Sequence, residues 1–261
     1  MPAAATGRRA VGALNFLGGI SLLAAGALLE VPGLFRRGFR PVSRVFLKQI
    51  YFTGVEAWAV IAALFFLIGA IVIRQIVSFA GADSAGITGK VLVWIVIREL
   101  GPLLTAVVVI ARSGTAIAAE LASMKIGGEI DVLESMGIPA ARYLIMPRVL
   151  GAAVAVVVLT LYAEVVAVAG GFLAGSLAWG ISIDWYVQGI VPFLTFREIG
   201  ISLFKSLTFG VVVAAVCCRQ GLSVEGGPTQ IPQAATKGVM RSLLLVFVFN
   251  TVITLVAHTA P

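Results

Sequence analysis

The chain alternates between long apolar runs and short polar segments. Five runs are long enough to cross a membrane as helices: Thr53–Ile73, Val91–Met124, Val149–Trp179, Ile199–Cys218 and Ser242–Ala257. About 20 residues of helix span the hydrocarbon core of a bilayer. The second and third runs are longer, so we expect them to be tilted or to project from the membrane. The pattern predicts an all-α integral membrane protein with five transmembrane helices.

A sixth apolar stretch, Val11–Leu29, has three interpretations. It lies between Arg8 and Arg9 on one side and a basic cluster from Arg36 to Lys48 on the other. A transmembrane helix here would place one basic cluster outside, against the positive-inside rule. An interfacial helix, or one that enters the membrane and returns, keeps both clusters in the cytoplasm. A cleaved signal peptide is the third interpretation. We favour the interfacial helix.

The composition agrees with a membrane protein. Of 261 residues, 60% are hydrophobic and 12% are charged, with a mean hydropathy of +1.06. A soluble domain carries about 25% charged residues. The formal net charge is +7, but the cations lie between apolar runs and form no basic stripe with interleaved aromatics. They therefore indicate membrane orientation and give no sign of nucleic-acid binding.

The distribution of cations predicts the orientation. With five spans and a cytoplasmic N-terminus, thirteen basic residues fall on the inner side and five on the outer side or its flanks. This is the imbalance that the positive-inside rule requires, and it places the C-terminus outside. We find no internal repeat and no separate soluble domain. We interpret residues 1–261 as one domain, with an N-terminal interfacial and basic segment (1–50) and a transmembrane bundle (53–257).

Nothing in the sequence indicates an enzyme or a metal site. Cys217 and Cys218 are adjacent and cannot form a disulfide framework, and the single histidine lies close to the C-terminus. The segment Gly81–Lys90 ends in Gly-Lys, as a phosphate-binding loop does. However, Ser84 stands where the first glycine of that loop is required, and Val91 where Ser or Thr is required. If ATP is used, another subunit must bind it.

Arg98 and Glu99 are adjacent charges within the second apolar run. A charge at membrane depth costs about 2.5–3.5 kcal/mol on insertion scales, and pairing or an interfacial position reduces this cost. Pro102 suits the first turn of a helix, so we expect span two to start there with the pair at its outer mouth. The two charges are candidates for a binding site, and a simple interfacial anchor is the alternative.

Three further charges lie inside the apolar runs: Arg112, Glu120 and Glu164. Arg112 and Glu120 are eight residues apart, about 80° around a helix, and small residues surround them. We expect both to face protein or a water-filled cavity. An ATP-independent secondary transporter or channel could use all three as an ion or proton path. The absence of an evident inverted repeat counts against that alternative.

The segment Lys125–Arg142 predicts a short amphipathic helix between spans two and three. Its acidic residues are Glu129, Asp131 and Glu134. Its apolar residues at three-residue spacing are Ile130, Leu133 and Met136. Gly137 should end the helix before Pro139. Acidic residues in a cytoplasmic loop oppose the usual charge bias, so we predict a protein partner here. Packing against its own subunit is the alternative.

The run RELGPLLTAVVVIARSGTAIAAELASMKIGGEIDVLESMGI, together with Met146–Arg148, resembles the MlaE/YrbE family. These proteins are permeases of ABC transporters that work with MCE proteins. The similarity extends over nearly the whole chain, although the extreme N-terminus and the outer loops match only in character.

The resemblance implies a fold and a set of partners. The fold is five transmembrane helices plus an N-terminal interfacial helix, assembled as a homodimer in the bacterial inner membrane. A MlaF-like ATPase, which binds ATP and Mg²⁺, docks on the short cytoplasmic coupling helix. The coupling residues are Gly127, Gly128, Glu129, Ile130, Asp131, Leu133, Glu134 and Met136. A MlaD-like MCE protein lies on the periplasmic side, and a MlaB-like STAS protein can join the ATPase.

The resemblance also implies a cargo and its site. The cargo is phospholipid or a related lipid, held in an outward-facing pocket at the dimer interface. Arg98 and Glu99 match the charged pair near that pocket. The chain itself is then a non-catalytic subunit that binds no cofactor.

Overall fold

The computed structural model describes residue 18, residues 39–80 and residues 85–259. These residues form helices joined by short turns, and no strand occurs among them. The all-α prediction is confirmed. The sixth apolar stretch, Val11–Leu29, lies outside the described residues apart from Gly18, so the interfacial helix stays a prediction.

The α-helices have the following bounds: Phe39–Gly54, Trp58–Ala80, Ala85–Val91, Gly101–Val109, Thr115–Ile126, Glu129–Ser135, Met146–Trp179, Ile183–Ile190, Phe196–Leu222 and Ile231–Thr259. Wider π-helical turns occupy Leu92–Leu100, Ile110–Gly114 and Ala141–Ile145, and 3₁₀ turns occupy Val55–Ala57 and Pro228–Gln230. Joined end to end, they give five helices long and apolar enough to cross a membrane. We number them spans 1 to 5: Ser43–Phe79, Gly86–Ile126, Ala141–Trp179, Phe196–Leu222 and Pro228–Thr259. The prediction of five spans is confirmed, and each helix extends beyond its apolar run.

Span 2 begins well before Pro102, so the predicted helix start at this proline is wrong. In the segment Gly81–Lys90, residues 85–90 are helical, while residues 81–84 lie outside the described residues. A π-helical turn precedes the proline, and the Gly101 amide donates to the Val96 carbonyl five residues back. Such a turn shifts the hydrogen-bond ladder locally, and the helix continues past a residue that has no N–H.

The chain divides into two compact units. Unit 1 contains residues 1–50, 110–152 and 211–244, and unit 2 contains residues 51–109, 153–210 and 245–261. The boundaries fall within continuous helices, so each of the five spans contributes residues to both units.

Unit 2 has a large apolar core and backbones in direct contact. Its core includes Ile61, Phe65 and Leu92, all fully buried. A Cβ atom placed on Gly69 would lie 1.9 Å from the Ala167 carbonyl oxygen. Only glycine fits at such a distance, because any side chain would overlap the neighbouring backbone.

The helix Ile183–Ile190 packs into unit 2 through Tyr186. The Tyr186 hydroxyl donates to the Val168 carbonyl at 2.9 Å, and its ring lies 5.5 Å from the Phe172 ring. Burial raises the pKa of the Tyr186 hydroxyl. This helix is therefore anchored to the rest of unit 2 in part by a buried aromatic residue.

Unit 1 is held together by small residues. A Cβ atom on Gly221 would lie 2.7 Å from the Ala118 carbonyl oxygen, and one on Gly114 would lie 3.1 Å from the Cys217 sulfur. Cys217 and Cys218 are free and buried. Cys217 thus acts as a small packing residue where spans 2 and 4 meet, and Cys218 is equally buried.

Candidate functional site

Unit 2 contains a network of charged and polar side chains contributed by spans 2 to 5. Its members are Arg98, Glu99, Glu164, Glu198, Ser202, Lys205, Asn250 and Thr254. Charged groups are costly in an apolar bundle unless they are paired and hydrogen-bonded. The network therefore has to be built from side chains whose partners lie on other helices.

Lys205 is the centre of this network. Its side chain is 0% exposed. The ammonium donates to Glu99 Oε2 at 2.8 Å, to Thr254 Oγ1 at 2.8 Å and to the Arg98 carbonyl at 3.1 Å. An ammonium has three donors, and all three are used. The Arg98 carbonyl is a suitable acceptor because Pro102, four residues on, has no amide hydrogen to donate to it.

Glu99 is the part of the network that reaches the surface. Its side chain is 30% exposed. The carboxylate also accepts hydrogen bonds from Thr254 Oγ1, at 3.1 Å and 3.2 Å to its two oxygens, and from Asn250 Nδ2 at 3.3 Å. One edge of this carboxylate is thus accessible, while a buried cation and two polar groups of span 5 fix its position.

Arg98 joins the network to Glu198. The guanidinium Nη1 lies 3.5 Å from Glu198 Oε2, and Nε lies 3.8 Å from Glu99 Oε1. Both Arg98 and Glu198 have side chains less than a tenth exposed. The Arg98 guanidinium also lies 5.9 Å from the centre of the Trp94 ring, and Lys90 Nζ lies 5.0 Å from the same ring. Two cations therefore flank one indole on this helix.

Glu164 lies in the same unit and is buried. Its carboxylate accepts a hydrogen bond from the Ser202 hydroxyl. Gly101 makes room for it, because a Cβ atom on Gly101 would lie 3.0 Å from Glu164 Oε1. With Ser202 on the same helix as Glu198 and Lys205, span 4 brings three polar side chains to this region.

The predicted short helix is present as Glu129–Ser135 in unit 1. It follows Gly128, whose φ is +72°, and ends at Gly137, whose φ is +75°. The amides of Gly137 and Ile138 donate to the carbonyls of Glu134 and Leu133, both at 3.0 Å, which is a glycine-terminated helix end. The predicted helix and its glycine stop are confirmed.

The apolar stripe of this helix is only partly packed against its own chain. Ile130 is buried, but Met136 is 68% exposed and Val132 is 58% exposed. Asp131 forms an ion pair with Lys125 at 2.8 Å. The helix therefore presents apolar side chains beside acidic ones on an accessible surface.

Comparison with known proteins identifies the family. A family model described as "Permease MlaE" matches residues 46–256. A probable ABC transporter permease of Synechocystis is 31% identical over 78% of this chain and 78% of its own length. The chain belongs to the MlaE permease family. A probable ABC transporter permease of Rickettsia typhi is 29% identical, over 80% of this chain and 81% of its own. The chloroplast protein TRIGALACTOSYLDIACYLGLYCEROL 1 of Arabidopsis thaliana is 30% identical, over 79% of this chain and 59% of its own.

As an MlaE permease, the chain is a multi-pass membrane protein and belongs to the permease subunits of ABC transporters. The resemblance seen in the sequence is thereby confirmed. The Synechocystis and Rickettsia relatives are named as permeases, the non-catalytic component of such transporters.

The predicted intramembrane charges of the MlaE permease are distributed over both units. Glu164 belongs to unit 2, whereas Arg112 and Glu120 belong to unit 1. Glu120 pairs with Arg148 at 3.0 Å; the Glu120 side chain is 49% exposed and that of Arg148 is 5% exposed. The Arg148 guanidinium also donates to the Leu144 carbonyl at 3.3 Å. Within unit 1, this pair links span 2 to span 3.

Several members of the network were not predicted from the sequence: Glu198, Ser202, Lys205, Asn250 and Thr254. Lys205 is one of the five cations counted on the outer side or its flanks, but its side chain is fully buried. A signal was present, because Glu198, Ser202 and Lys205 fall at helical positions i, i+4 and i+7. That spacing places polar groups on one face of an otherwise apolar helix.

Proposed function

We propose that this MlaE permease moves phospholipid, or a related lipid, between the inner membrane and a periplasmic MCE protein, with energy from a separate ATPase subunit. The observation that carries the proposal is the network around Lys205. A fully buried lysine that holds a partly exposed carboxylate is unlike an interfacial anchor, whose charged end extends into water. The Arabidopsis relative is named after a galactolipid, which supports a lipid cargo.

The exposed edge of Glu99 is the proposed contact for a lipid headgroup. A carboxylate at the margin of an apolar bundle attracts the amine of a zwitterionic headgroup. The buried cations of Arg98 and Lys205 hold that carboxylate in one geometry, so it does not have to reorganise when lipid arrives. We propose that two copies of the permease form a homodimer around the lipid.

Truncating the charged pair tests the site. We expect Arg98→Ala and Glu99→Ala each to reduce transfer of a fluorescent phospholipid in proteoliposomes by about tenfold or more, because one charge-assisted hydrogen bond contributes about 1.5–3 kcal/mol. The matched control is Arg74→Ala, which removes an exposed cation of the same unit and should leave transfer within about twofold. Normal transfer in both variants, with normal assembly, would reduce the pair to an anchor.

The coupling residues 127–136 are the proposed docking site for the ATPase. Support comes from the exposed Met136 and Val132 beside the acids Glu129 and Asp131, since apolar and charged groups together suit a protein contact. We expect Glu129→Lys with Asp131→Lys to lower ATPase co-purification about tenfold or more through charge reversal. Because Asp131 pairs with Lys125, Glu129→Lys alone serves as a second variant, and Glu225→Lys, an exposed acid of another loop, is the control.

The same helix tests the proposed orientation, with the N-terminus in the cytoplasm and the C-terminus in the periplasm. Both natural cysteines are buried, so Met136→Cys introduces a single accessible thiol. We expect a membrane-impermeant thiol reagent to label this cysteine only after the cells are permeabilised, when the reagent reaches the cytoplasmic side. Labelling of intact cells would contradict the docking assignment.

The ATP-independent transporter that would use Arg112, Glu120 and Glu164 is less well supported. Membership of an ABC permease family implies an ATPase partner. Purification from native membrane distinguishes the two functions, because only the ABC transporter requires a nucleotide-hydrolysing subunit. MlaF-like, MlaD-like and MlaB-like proteins are the partners that we expect in that preparation.

A further inference from the structure

Unit 1 contains a small polar cavity where span 4 ends and span 5 begins. Its volume is about 170 Å³. A single water needs about 10–15 Å³ on this measure, so the cavity has room for a small polyatomic ion. Its polar lining residues are Gln220, Ser223, Gln230, Gln233, Lys237 and Arg241. None of these residues belongs to the network of unit 2, so the cavity is a separate feature.

Four of the polar lining residues lie on one face of span 5. Gln230, Gln233, Lys237 and Arg241 recur at helical spacing and therefore lie on the same side of that helix. From span 4, Gln220 is buried and its carbonyl accepts the Ser223 hydroxyl at 3.0 Å. In a chain that is 60% hydrophobic, amides and cations gathered around one cavity indicate a polar ligand.

The charge balance of the cavity favours an anion. Two lining residues are cations and none is a carboxylate. In the part of the chain that the structure describes, Lys237 makes no ion pair. Ammonium, guanidinium, amide and hydroxyl groups are all donors to an oxyanion, and arginine matches the geometry of phosphate in particular. Ordinary positive-inside anchoring explains the two cations but not the three glutamines that surround the same space.

We propose that this cavity binds a phosphate group, supplied either by the headgroup of an anionic phospholipid or by free phosphate. Lys237 and Arg241 provide the charge, and the glutamine amides and the Ser223 hydroxyl provide neutral donors. The site does not depend on the lipid network of unit 2, so either assignment can fail without the other.

The test uses the full chain, purified in an uncharged detergent. We expect sodium phosphate to raise the melting temperature in a saturable way, compared with sodium chloride at the same ionic strength, because a ligand that binds only the folded state stabilises it. Lys237→Gln with Arg241→Gln should abolish the effect, and Lys237→Gln alone should weaken phosphate binding about tenfold, as expected for one lost charged contact. Both side chains are exposed in part, so the variants should fold.

The matched control is Arg44→Gln with Lys48→Gln, which removes the same charge from exposed positions of unit 1 and should retain the phosphate effect. Native mass spectrometry with phosphatidylglycerol and phosphatidylcholine distinguishes the two sources of phosphate. If the protein retains phosphatidylglycerol and free phosphate displaces it, the ligand is a lipid headgroup. If phosphate stabilises the protein but no lipid is retained, the ligand is the free ion. Equal behaviour of the cavity variants and the control in both measurements would overturn the proposal. Loss of ATPase docking in the cavity variants, with no change in stabilisation by phosphate, would also overturn the proposal.

Discussion

Replacing Lys205 with methionine should destabilise the permease by an amount that its hydrogen bonds determine. The substitution preserves most of the side-chain volume but removes three donors, to Glu99, Thr254 and the Arg98 carbonyl. Thr254 still has Glu99 as a partner. The Arg98 carbonyl loses its donor from span 4, and a buried acceptor without a partner costs about 1–3 kcal/mol.

Glu99 adds a second cost. It loses a buried cation but keeps Asn250 and Thr254 and remains 30% exposed, so water can compensate in part. We therefore place its loss at the low end of the values for a broken ion pair, and the whole effect of Lys205→Met at about 3 kcal/mol. Adding Glu99→Gln removes the carboxylate that lost its cation. The double variant should be about 1–2 kcal/mol more stable than Lys205→Met alone, and the coupling energy of the pair is this difference plus the cost of Glu99→Gln alone.

The assay is a double-mutant cycle of unfolding free energies in detergent for the native chain, both single variants and the double variant. Lipid transfer is measured on the same preparations and should fall in every variant that lacks Glu99 or Lys205. If Lys205→Met changes stability by less than about 0.5 kcal/mol, or if the two changes are additive within that error, the lysine is not held as the structure indicates and the reasoning fails.

Two further predictions concern packing. Gly69→Ala should cost about 1–3 kcal/mol of stability, or prevent assembly, because its Cβ would overlap the Ala167 carbonyl. Gly200→Ala should stabilise span 4 slightly, because no atom lies within 4 Å of the added Cβ. Equal melting temperatures of the two variants would contradict this prediction. Glu120→Ala should cost about 3 kcal/mol because it strands the buried Arg148, whereas Arg148→Met should cost about 1 kcal/mol because Glu120 is half exposed. The reverse order of melting temperatures would refute that asymmetry.

The spans could be predicted because length and apolar composition are local properties. The runs from Thr53 and Val149 needed only the thickness of a bilayer as a reference. The start of span 2 could not be predicted in this way, since Pro102 suits a first helical turn. The π-helical turn that admits the proline inside a helix depends on hydrogen bonds that no spacing rule for α-helices encodes.

The candidate site was only half visible in the sequence. Arg98 and Glu99 stand out because adjacent charges interrupt an apolar run. Lys205 does not, because a lysine near a predicted helix end resembles an interfacial residue. Its contacts with Glu99 and Thr254 join residues 106 and 49 positions apart. Such contacts depend on how helices pack, and the amphipathic spacing of span 4 was the only local sign of them.

The hydrogen bonds of Asn250 and Thr254 have a consequence for how span 5 finds its place. Only 11% of its apolar window is buried within the chain. Lipid tails solvate leucine and valine as well as another helix does, so these side chains offer little preference for one vertical or rotational setting over another. Asn250 and Thr254, bound to Glu99, select a single setting. A one-residue insertion before Asn250 would rotate both side chains by about 100° about the helix axis. Span 5 would then still insert into the membrane, but it would no longer pack in the position that its hydrogen bonds to Glu99 select.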